Sequence, residues 1–77
     1  MKAIAHLTDK KGTVIDAMPF DFNDYATSRK IVREVKSHWG FNAIKSKSEQ
    51  SGSTIRVTLH GVKCNIVIYL ESVEVEG

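Results

Sequence analysis

One stretch of this chain, from Phe20 to Gly40, repeats its apolar residues with the period of a helix, while the segments on either side read as strands. That contrast constrains the fold more than any other feature. A lone amphipathic helix cannot bury its apolar stripe on itself, so it has to lie against a sheet. At about 100° per residue, Tyr25, Ser28, Ile31, Val32, Val35 and Trp39 fall within an arc of about 120°, which is the expected buried face. The boundaries carry end signals. Asp21 is expected to cap the start by accepting from the amide of Asp24, with Phe20 and Tyr25 spaced as a hydrophobic staple. Gly40 follows Trp39 where a left-handed residue closes a helix, and Phe41 can then fold back onto Val35.

Before the helix, Lys2 to Thr8 and Thr13 to Ala17 read as two short strands joined by a turn at Asp9-Lys10-Lys11-Gly12, with glycine where positive φ is needed. Pro19 lacks the N–H of a sheet ladder and is expected to stop the second strand. After the helix, Phe41 to Lys47 reads as a third strand, and Ser46 to Ser53, made of small polar residues and Gly52, as a mobile connection. Thr54 to His60 alternates cleanly, with Ile55, Val57 and Leu59 inward. The last strand starts near Cys64 and is predicted to run to about Glu76. Its Ile66, Ile68 and Leu70 share a face with Cys64, while Val67 and Tyr69 make the other face apolar too, the mark of a central or covered strand. The parity changes beyond Glu71, where Val73 and Val75 continue the register of Val67 and Tyr69, so a bend or bulge is expected near Ser72. The predicted fold is α+β, a single domain over residues 1–77 with one helix on a mainly antiparallel five-stranded sheet in the order ββαβββ.

At 77 residues the chain has room for one core, because a domain this short buries only about 60% of the surface of its unfolded chain. A composition of 42% hydrophobic and 26% charged residues is that of an ordinary folded domain. Cys64 is the only cysteine, so no internal disulfide can form, and this together with the absence of a leader or spanning segment leads to the expectation of a cytoplasmic protein without a membrane partner.

The net charge of +2 is unevenly spread. Arg29, Lys30, Arg33, Lys36, Lys45 and Lys47 crowd the middle of the chain, and Glu71, Glu74 and Glu76 its end. Like charges spaced three and four apart on a helix repel, so stability alone does not choose this arrangement. The cations are therefore candidates for meeting an acidic protein or a phosphate backbone, the alternative being an ordinary solvated face. Val67 and Tyr69, on a sheet face that no second layer of this chain covers, are the second candidate contact surface, for a target protein or for a homodimer.

Catalytic readings find less. His60 and Cys64 could meet across a turn at Gly61, but two ligands do not make a zinc site. Asp9, Asp16, Asp21 and Asp24 each have a structural task as turn, strand or cap residues. No phosphate-binding loop, dinucleotide fingerprint or nucleophile elbow is present. No cofactor is expected, and no enzymatic activity. In its size, its lone helix after an N-terminal hairpin and its lack of a catalytic signature, the chain resembles the small proteins with which phages inhibit bacterial defence systems, the anti-CRISPR type among them. The resemblance implies a non-enzymatic inhibitor that occupies a surface of a nuclease complex. Several such proteins mimic DNA with acidic surfaces, and the basic helix here departs from that pattern. The alternatives are a nucleic-acid-binding domain using the same cations and a small metal- or thiol-dependent protein using His60 and Cys64.

Overall fold

The computed structural model describes residues 2–22, 27–52 and 54–71, residues 28 and 71 by their backbone only. Its elements are β1 (Lys2–Asp9), β2 (Val14–Asp21), α1 (Ser28–Trp39), β3 (Lys45–Ser51), β4 (Thr54–His60) and β5 (Cys64–Glu71). The order is ββαβββ, and all strand pairs are antiparallel in one sheet ordered β2-β1-β5-β4-β3. The expected fold class is the observed one. β5, apolar on both faces, is the central strand, as a strand without a polar face must be to avoid exposing a greasy side at an edge.

The core comes from the helix and the three middle strands. Ile31 and Val35 of α1 meet Ala3 and Ala5 of β1, Val57 and Leu59 of β4, and Ile66, Ile68 and Leu70 of β5. Burying each large aliphatic side chain contributes about 1.5–3 kcal/mol, so this cluster dominates stability. Neither outer strand supplies a fully buried residue.

The predicted turn signals hold at two glycines. Gly12 has φ +94° in the first hairpin, where Asp9 Oδ1 accepts from the amides of Lys11 and Thr13, both at 2.9 Å. Gly40 has φ +58° and closes α1, its amide reaching the Lys36 and Ser37 carbonyls.

Four boundaries depart from expectation. α1 is capped by Thr27, whose Oγ1 accepts from the Lys30 amide at 3.2 Å, because Asp21 is already committed to β2 opposite Lys2. Asp24 and Tyr25, the other parts of the expected cap and staple, lie outside the described residues. Pro19 does not end β2, which runs on to Asp21. β2 is an edge strand, where a missing N–H on the outer side costs no ladder bond. The third strand starts at Lys45 rather than Phe41, and Ser46 to Ser51 is strand, not a mobile connection. Its backbone pairs with β4 in unbroken register from Lys45↔His60 to Ser51↔Thr54, so ladder bonds hold it where side-chain burial cannot. Phe41 and Ala43 instead pack on the core from an irregular segment. The expected parity change at Ser72 to Glu76 falls outside the described residues.

Candidate functional site

Arg29, Arg33 and Lys36 are spaced four and three residues apart and therefore form one stripe along α1. That stripe walls a groove of about 530 Å³ between α1 and β3, lined also by Val32, Ser46, Ser48 and Val57. The register explains the floor. Ser46 and Ser48 lie opposite Leu59 and Val57, which face the helix, so these short side chains turn toward α1 and leave space beneath it. Arg29 and Arg33 are exposed and Lys36 is half-buried. Among the described residues none of the three has a carboxylate partner; the ion pairs found there are Lys47–Glu49 and Arg56–Glu49. Lys30 is exposed but does not line the groove.

The same register separates the six candidate cations. Lys45 and Lys47 lie opposite His60 and Thr58 and stand on the other face of the sheet from the helix stripe. They flank the same strand from below that Arg29, Arg33 and Lys36 flank from above. On that open face Glu49 is engaged by Arg56, and Lys47 lies 3.7 Å away. The Arg56 hydrogen bond and its charge hold the Glu49 carboxyl below its ordinary pKa, and Glu49 in turn raises that of Arg56.

Val67 and Tyr69 are on the open face, which no second layer covers among the described residues. Val67 is half-buried between His6 and Thr58 in register, and Tyr69, 37% exposed, lies between Ile4 and Arg56. His6 meets the Tyr69 ring edge-on at 5.4 Å. The face is thus a mixture of apolar and charged side chains, not a continuous oily patch; Val73 and Val75 lie outside the described residues. A second concavity of about 430 Å³ opens beside Ile4, Pro19, Phe20 and Tyr69 at one end of the sheet.

The other chemical groups are placed apart. His60 pairs with Asn65, while Cys64 pairs with Asp9 and shares the helix-side parity of Ile66. The two consequently fall on opposite faces, and the register gives no route to a shared metal or proton. No group of three metal-ligating side chains occurs among the described residues. Asp16 accepts from the Trp39 indole N–H at 3.1 Å and from the Ala17 amide at 2.9 Å. Those bonds, the indole's first, hold its carboxyl below the ordinary value. No helix among the described residues is long and apolar enough to cross a membrane.

Sequence reasoning missed Ser46 and Ser48. The signal was there in Lys45-Ser46-Lys47-Ser48, a strict alternation of long cation and short hydroxyl that only a strand separates onto two faces. No family model, curated protein or solved structure matches this chain.

Proposed function

We propose that this chain is a non-enzymatic binding module that docks an acidic protein surface in the groove between α1 and β3, working as an inhibitor by occupying that surface. One observation carries the reading. Arg29, Arg33 and Lys36 converge on a single groove and remain without carboxylate partners among the described residues. Aligned like charges cost a few tenths of a kcal/mol per pair on an isolated helix, and an anionic partner relieves that cost while steering its own approach. The small size and the general plan shared with phage inhibitors favour the inhibitory role.

A protein partner is preferred to nucleic acid because of where the rings stand. Tyr69 and His6 lie on the face opposite the helix stripe, and Trp39 is engaged with Asp16, His38 and Phe20. No ring among the described residues is beside the groove to stack a base, as single-strand binders require. The non-enzymatic reading is supported by the engagement of Asp9, Asp16 and Glu49 in structural bonds.

Binding of labelled poly-glutamate and of a generic DNA duplex, followed by fluorescence anisotropy across a salt series, tests the proposal. Poly-glutamate is expected to bind, with affinity falling as salt rises, and the triple variant Arg29→Glu, Arg33→Glu, Lys36→Glu to lose binding while keeping its circular dichroism. Undiminished binding by that variant would remove the groove from consideration. Binding of the duplex alone would replace a protein partner by nucleic acid.

A further inference from the structure

Among the described residues β3 is the last strand of the sheet on its side, and along Lys45–Ser51 only β4 pairs with it. Its outer row of N–H and C=O groups is therefore a template for another strand. The register to β4 is unbroken, and β3 contains neither proline nor bulge. The cations stand on both sides of that edge. A strand added beside β3 would continue its pleat and point alternate side chains toward α1 and toward the open face. Those turned one way meet Arg29, Arg33 and Lys36, and those turned the other way lie beside Lys45 and Lys47.

We infer that the partner presents an extended, acidic polypeptide segment that adds to β3 as a sixth strand. This rests on the groove reading above and deepens it, since the groove then receives side chains while the β3 backbone receives main chain. The dimensions agree. The stripe from Arg29 to Lys36 covers about 10 Å at 1.5 Å per residue, and acidic residues at i, i+2 and i+4 of a strand cover about 13 Å. Main-chain bonds supply affinity, and the charges supply selection for acidic sequences. The lysines disfavour one self-pairing: two antiparallel β3 edges in the register that sets Lys45 opposite Lys47 of a second copy would bring like charges together across strands.

The probe is a fluorescein-labelled octapeptide alternating glutamate and threonine, compared with the same sequence N-methylated at every amide, a change that keeps the charges and removes the N–H donors. The unmodified peptide is expected to bind, and the methylated one at least about tenfold more weakly, the equivalent of one or two net hydrogen bonds. Hydrogen exchange measured by NMR should show amides within Lys45–Ser51 becoming slower on binding. Equal affinity of the two peptides, with no protection in β3, would overturn strand addition and leave the groove as a charged side-chain site. Binding of duplex DNA but not of the octapeptide, lost in the charge-reversed triple variant, would likewise overturn strand addition while the groove stands. If no anionic probe binds, the groove reading falls as well. Sedimentation showing self-association that a Lys47→Glu change alters would make a second copy the occupant and overturn the acidic partner.

Discussion

The two edges of this sheet are built on different principles. β2 carries apolar side chains, with Val14, Ile15 and Met18 exposed, and is broken as a template: Pro19 lacks a donor and the register slips between Leu7 and Thr8. It is tied to the helix end through Asp16 and Trp39 and through Phe20, which meets the His38 and Trp39 rings. β3 has no apolar side chain, an unbroken register and, among the described residues, no comparable tie to the helix; its side-chain link to the neighbouring strand there is Glu49 with Arg56. One edge is closed by irregularity and anchored by side chains. The other is kept open by regularity and guarded only by charge. Edges are usually defended against pairing, and on the proposed reading a regular edge flanked by cations would discriminate among partners instead of excluding them all.

The largest expected effect comes from removing what both edges lean on. Ile68, fully buried beneath α1 on the central strand, should cost about 2–5 kcal/mol as Ile68→Ala, read by urea denaturation, and should loosen both edges alike. A cost below that of a surface substitution would show that the core is not shared.

Gly61→Ala should come next and should distinguish the edges. A Cβ there would sit 2.7 Å from both the Cys64 carbonyl and the Phe41 ring, and Phe41 belongs to the segment leading into β3. Overpacking of this kind costs about 1–3 kcal/mol. Hydrogen exchange should show β3 opening more readily than β2; equal acceleration of the two would blur the contrast.

Asp16→Asn should weaken the β2 anchor by a smaller amount, and the effect should depend on pH. The folded-state pKa of Asp16 is depressed, so its contribution is complete above the ordinary value of 3.8 and disappears as pH falls through the folded value. Thermal stability of wild type and variant should therefore differ at neutral pH and converge in acid. A constant difference down to pH 2 would mean that the carboxylate is not responsible.

The smallest effect should favour the variant. Arg33→Gln removes the middle charge of the stripe and should raise stability by about 0.2–0.5 kcal/mol while weakening binding of acidic probes. Loss of stability would indicate that Arg33 has a structural partner.

Much of the architecture was legible because it rests on local patterns. The alternation of Thr54 to His60, the double-sided apolarity of Cys64 to Leu70, the helix period through Ile31 and Val35, and the glycines at 12 and 40 each reflect a backbone period or a backbone dihedral that neighbouring residues dictate. From these follow the first hairpin, the helix, β4 and a β5 that is central or covered; the order ββαβββ is completed by a third strand expected over Phe41 to Lys47, which the structure places at Lys45–Ser51. What the residues could not reveal is what depends on a strand elsewhere in the chain. Lys45 to Ser51 has no apolar pattern and becomes a strand because β4 offers it a ladder; Pro19 is admitted because no described strand lies beyond β2. The six cations form one cluster in sequence but stand on different surfaces, since a register shared with Val57 and Leu59 decides which face each β3 residue occupies. Pairing across long loops is a property of the assembled sheet, and so the groove, its serine floor and the open edge beside it exist only in the tertiary structure.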